Sequence, residues 1–226
     1  MNKVMAPFIV ALLPSSAFCQ TGTIISNKPA AIPSEKAISA NDNRRIMYDF
    51  AACTVRRWRN GVKQFLETAP GSAESIKLAT KLSVGSCLMN GSITFKDASY
   101  RAAAYDVMYH LDFAKKDAPL DFSSIPPIEY AQQGEGMTAE DAASQAVLRQ
   151  LADCSVRSEP DKARLLILAP IGSPAETAAF SAFLPSVSGC MTNDVTLKFS
   201  KFTLKGFVGE ALYRLSTAAT LAGKGS

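Results

Sequence analysis

The phrase CTVR at Cys53–Arg56 returns as CSVR at Cys154–Arg157, and the likeness runs well past four residues. Each copy is followed by an apolar stretch ending at Ala-Pro, LETAPGSAE from Leu66 and LILAPIGSPAE from Leu166. A second cysteine follows inside SVGSCLM and SVSGCMT, and each half closes on a gapless pair, ITFKDASYRAAAYDVMYHL from Ile93 and LKFSKFTLKGFVGEALYRL from Leu197. Self-similarity at one long period reads as two copies of one supersecondary unit. The fold problem thereby shrinks to a unit of about 75 residues, a size at which burial alone is marginal and a covalent staple is expected.

The cysteines supply that staple. Of the five, Cys19 ends an N-terminal stretch, MNKVMAPFIVALLPSSAFCQ, whose single cation at Lys3, apolar run and small residues have the layout of an export signal. The apolar run is shorter than the roughly 20 residues that span a bilayer. Cleavage after Ala17 or after Cys19 satisfies the small-x-small rule, and the second leaves Gln20 as the first residue. Lipidation of Cys19 is the competing reading, opposed by the bulky Phe18 before it. Removing residues 1–19 leaves Cys53, Cys87, Cys154 and Cys190, an even set for an oxidising compartment. Four cysteines allow three pairings, and the nearly equal spacings of 34 and 36 residues favour Cys53 with Cys87 and Cys154 with Cys190. Each loop would gain about 3 to 4 kcal/mol from chain entropy. Metal is the other use of such cysteines, but there is no CxxC and only one histidine, so no metal site is expected.

Periodicity predicts an all-α fold, about four helices per repeat, with at most a short extended piece at Ile93–Phe95 and at Leu197–Phe199. Thr138 with Asp141 three residues on, and Ser173-Pro174-Ala175-Glu176, are helix starts. Asp97 is the expected cap of the closing helix in the first half. Predicted buried stripes are Ala143, Val147, Leu151 and Cys154; then Phe180, Phe183, Leu184, Val187 and Cys190; then Leu204, Phe207, Val208, Ala211 and Leu215; and in the first half Tyr100, Ala104, Val107 and Leu111. The organisation is a leader at 1–19, a polar segment at 20–41 expected to be disordered, repeat 1 at 42–116, a Pro/Gly-rich strap at 117–137, repeat 2 at 138–218 and a fraying tail at 219–226.

Composition excludes more than it proposes. A formal net charge of +4 is no polyanion signature, so no nucleic acid is expected. One basic cluster stands out, RRWRNGVK, with Arg56, Arg57, Arg59 and Lys63 around the only tryptophan, Trp58. It is either an anion site, for a lipid head group or sugar, or a helix end whose carbonyls attract cations and which closes at Asn60-Gly61. Both repeats keep an arginine in CxVR, Arg56 and Arg157, and in the last helix an acid followed by a tyrosine, Asp106 with Tyr109 and Glu210 with Tyr213. Arginine held by a carboxylate and a phenol satisfies all three groups, which predicts Arg56 beside Asp106 and Arg157 beside Glu210. Catalytic motifs are scarce. One histidine, His110, cannot supply HExxH, and its partner position holds Arg214, which predicts a surface site. No GxSxG or phosphate loop occurs, no cofactor is implied, and Glu74 and Glu176 stand where helix caps want acids.

The pattern at Cys154, Val156, Arg157, Ala169, Pro170, Glu176, Cys190 and then Glu210, Ala211, Leu212, Tyr213 and Arg214 resembles a family of uncharacterised exported bacterial proteins built from one or two such units. The likeness covers about residues 60 to 218 and the helix before them, and the first half departs from it with YDVMYHL in place of GEALYRL. It implies export to the periplasm or beyond and no particular chemistry. The expectation is an envelope binding or interaction module without catalysis, acting on an unidentified ligand or protein. The alternatives are a carboxylate-dependent hydrolase, and a membrane-surface protein that uses the Trp58 cluster.

Overall fold

The computed structural model describes residues 23–25, 39–83, 85–88, 93–115, 120–129, 137–191 and 199–223. The leader at 1–19, most of the segment predicted to be disordered, residues 130–136 of the strap, Leu197 and the last three residues lie outside them. The fold is all-α. In chain order it comprises β1 (Thr23–Ile25), α1 (Ala40–Glu67), α2 (Ala73–Leu82), a 3-10 turn at Gly85–Cys87, β2 (Ile93–Phe95), α3 (Asp97–Phe113), α4 (Ala139–Ser158), α5 (Pro160–Leu168), α6 (Pro174–Gly189) and α7 (Lys201–Ala222). The strands form one antiparallel ribbon, Thr23 against Phe95 and Ile25 against Ile93. Within the segment 20–41 the residues Thr23–Ile25 form β1, where three β-branched side chains suit an extended backbone.

The first helix of each half breaks at the same place. Trp58, five residues past Cys53, has φ −136°, ψ 48° and bends α1. Glu159, five residues past Cys154, has φ −141°, ψ 66° and separates α4 from α5. In the second half Pro160 follows directly and restarts the helix at its first position. Among the described residues the first half therefore carries three α-helices, one of them bent, where about four were expected. The predicted helix end at Asn60-Gly61 is not one, since α1 runs on to Glu67.

The disulfides pair as the spacing implied, Cys53 with Cys87 and Cys154 with Cys190, at Cα separations of 5.7 and 6.0 Å. Each ties the first helix of its half to the chain just past the helix that starts after Ala-Pro-Gly-Ser. Those starts are alike too. Gly71 and Gly172 take φ 78° and 72°, which glycine adopts without a Cβ penalty, and Ser72 and Ser173 cap α2 and α6. Thr138 caps α4 with Asp141.

The core is shared by both repeats, and α3 and α7 pack on each other along their lengths as its spine. Gly206 permits that approach, since a Cβ there would stand 2.6 Å from that of Ala102. The predicted stripes hold for most positions, but Leu111, Val147 and Leu184 are exposed, as are Ala143 and Cys154. On α4 the face that packs is instead Ala142, Leu148, Arg149, Leu151, Ala152, Ser155 and Val156. Its contact with α7 selects this face, and a rotation of one position leaves Val147 outside.

Candidate functional site

The gapless pair at the end of each repeat places α3 and α7 in register, and their packing brings charged side chains together across the repeats. Arg101 and Lys205 occupy equivalent positions in that pair. Arg101 donates to Asp97, Thr68, Ser75 and the Leu66 carbonyl, so it closes the Gly71 turn, whose N–H also bonds Asp97. Asp97 is therefore no simple cap. As the first residue of α3 it accepts from Gly71, Ser75 and Arg101. Lys205 does the same work at the Gly172 turn, with its Nζ 2.8 Å from Glu176 Oε1 and 3.4 Å from the Ala169 carbonyl. Here the turn's N–H bonds Glu176 itself.

Glu176 is more than a capping residue. Arg44, from the first turns of α1, grips both its oxygens, so α1, α6 and α7 meet at one buried carboxylate. Lys205 also stands 3.7 Å from Asp106 on α3. Burial by itself would push Glu176 up, but the bonds from Arg44, Lys205 and the Gly172 N–H outweigh it and hold the carboxyl at about 2. His110 Nδ1 lies 2.9 Å from Asp106 Oδ1, one helical turn back. Nδ1 is also 2.9 Å from the Asp106 backbone carbonyl, and the two contacts raise the imidazole above 6.5 against the opposing effect of burial. His110 is half-buried, which corrects the expected surface position. Burial and the nearby Asp106 charge push the Tyr48 phenol up to about 12. Arg44, Tyr48, Asp106 and Lys205 line a cavity of about 20 Å³, room for a single water.

The predicted ion pairs do not form. Arg56 is exposed, and Asp106 is engaged by His110 and Lys205 instead. Arg157 pairs with Asp153 and donates to the Phe122, Ile125 and Pro126 carbonyls of the strap. Glu210 pairs with Arg149 and Arg214. The tyrosines separate likewise. Tyr109 is buried, with its hydroxyl beside Arg164 and Ser216. Tyr213 donates to Asp112, which also holds Arg59. The prediction sought partners within a repeat, whereas the α3–α7 contact delivers Lys205 and Arg44 from elsewhere. Its signal was present in the paired cations Arg101 and Lys205; Arg44 has no counterpart in the repeat and left no signal.

Two clefts flank Tyr105, whose hydroxyl is bonded by Arg214 and lies 3.3 Å from the Leu66 carbonyl. One, of about 230 Å³, lies between α3, α4 and α7, with Leu148, Phe202 and Phe207 on its walls and buried Arg101, Arg149 and Glu210 in its lining. The other, of about 360 Å³, lies between the end of α1 and α7, where Lys63 and Arg214 border Leu66, Ile128 and Leu221. The basic cluster is thus divided. Arg59 is paired with Asp112 and Lys63 lines the second cleft, while Arg56, Arg57 and Trp58 border a third, shallow concavity with Lys81. Among the described residues no group of His, Cys, Asp and Glu is arranged to hold a metal, and no helix is long and apolar enough to cross a membrane. No family model, curated protein or solved structure matches the chain.

Proposed function

We propose that this chain is an exported, non-catalytic binding module of the cell envelope, built by duplication of one disulfide-stapled helical unit, and that it holds a small ligand between its repeats. The observation that carries the reading is the pair of clefts on either side of Tyr105. Each is mostly apolar with a few fixed polar groups, the composition that small-molecule sites favour, and each is lined by both repeats. Arg101 is held by Asp97, Thr68 and Ser75, and Arg149 pairs with Glu210, so their geometry is set before a ligand arrives.

A hydrolase finds less support. Asp106 and Glu176 do converge on Lys205, but the cavity beside Asp106 and Lys205 is the size of one water, and a carboxyl held at about 2 is no proton donor near neutral pH. Native mass spectrometry of the protein from its own periplasm, compared with the same sample denatured without reductant, tests the reading. An added mass under native conditions alone is expected, and its loss in Gln145→Trp, which fills the cleft beside α4, would locate it. A bare chain, or an added mass that survives both this variant and Ala218→Trp in the second cleft, refutes the reading. The denatured mass also fixes the processed start.

A further inference from the structure

The first helix of each half carries an arginine three residues past its cysteine, just before the bend, and in repeat 2 the use of that arginine is visible. Arg157 donates to three backbone carbonyls of the strap, those of Phe122, Ile125 and Pro126, at 2.9, 2.9 and 3.0 Å. Phe122 and Ile125 are anchored in the core. The Ile125 N–H bonds back to the Phe122 carbonyl, so what this part of the unit receives is a turn of the chain and the residue after it. Asp153, one turn back, takes up the remaining charge.

Repeat 1 has the same bend and no such occupant among the described residues. Arg56 is exposed, makes no ion pair there, and has Ala52 where repeat 2 has Asp153. Around it the bend at Trp58 opens a concavity of about 470 Å³ bordered by Arg57, Leu78 and Lys81. Among the described residues Arg57 bonds the Ser86 hydroxyl, and it lies 5.9 Å from the Trp58 ring centre. No carboxylate among the described residues pairs with Arg56, Arg57 or Lys81. Repeat 2 has Arg157, Ser158, Glu159 and Pro160 at its bend, without that excess of cations.

We infer that the concavity at Trp58 is a docking site for an acidic, turn-forming peptide segment of a partner protein, whose carbonyls meet Arg56 as the strap's meet Arg157. Arg57 and Lys81 select for carboxylates in the segment, and Trp58 and Leu78 take an apolar side chain. The strap supplies the template, since LDFSSIPPIE at 120–129 sets two buried apolar anchors between Asp121 and Glu129. This site is separate from the clefts beside Tyr105 and stands or falls without them.

Trp58 is the only tryptophan, so its fluorescence reports this site alone. The experiment titrates the capped peptide LDFSSIPPIE into the whole processed protein. A saturable Trp58 signal is expected with a Kd below about 100 μM, weakened by salt. Arg56→Gln should weaken it at least about tenfold with the far-UV spectrum unchanged, and a peptide with both acids amidated should bind more weakly. No signal up to about 1 mM peptide overturns the inference, as does equal binding by Arg56→Gln. Vesicles of phosphatidylglycerol and phosphatidylcholine are the second probe. A Trp58 shift with vesicles and none with peptide would assign the concavity to a membrane surface and also overturn it.

Discussion

Glu176→Gln removes one charge from the buried centre while keeping an oxygen for the Gly172 N–H and leaving the Ser173 cap intact. Held at about 2 in the fold against 4.5 in an open chain, the carboxyl contributes at most about 3 kcal/mol near pH 7. About 2 kcal/mol is the working figure once solvent screening is allowed for, because Arg44 reaches the surface. The variant also leaves Arg44 and Lys205 with only Asp106 nearby, so its total loss should be about 2 to 4 kcal/mol. The sign with pH follows from the lowered value. The contribution is present above 4.5 and drains as pH falls from there toward 2, so the gap between wild type and variant should shrink by more than half at pH 3. Urea unfolding with the disulfides intact, followed by far-UV circular dichroism at both pH values, measures it. A gap under about 0.5 kcal/mol at pH 7, or one of equal size at pH 3, would refute the reasoning.

The α3–α7 contact makes opposite predictions for two glycines on one helix. Gly206→Ala should cost about 1 to 3 kcal/mol because its Cβ meets that of Ala102, and Ala102→Gly should restore part of the loss. Gly209→Ala meets nothing nearer than 3.5 Å and should gain up to about 1 kcal/mol from helix propensity; thermal unfolding separates the two. The lone imidazole gives a clean titration by NMR. His110 should titrate above 6.5, and Asp106→Asn should lower it, since the side-chain charge and bond are lost and the Asp106 backbone carbonyl is left to oppose burial. Because its value is raised, the stability it contributes is complete below 6.5 and is lost as pH rises through the folded value. Replacing Cys53 and Cys87 together by serine should cost about 3 to 4 kcal/mol in urea, and the Cys154–Cys190 pair should behave alike because the loops are of nearly equal length.

The helical class, the caps at Thr138 and Ser173 and the disulfide pairing were all legible in the chain. Each depends on residues close in sequence or on the comparison of one half with the other. A cap needs a hydroxyl and an amide three residues on, and a repeat shows which cysteines play the same part. The ion pairs were not legible. Arg56 and Arg157 share a position and a local backbone, yet one faces solvent and the other holds the strap, because Asp153 in one half is Ala52 in the other and the described strap residues 122–126 reach Arg157. Asp106 and Glu210 share a position too, and their partners are set by which helices cross near them. Charge is matched over a few ångströms in space, while sequence orders residues along the chain. The bond from Arg44 to Glu176 spans 132 residues and forms only because α3 and α7, packed through Gly206, draw α1 and α6 to the same place.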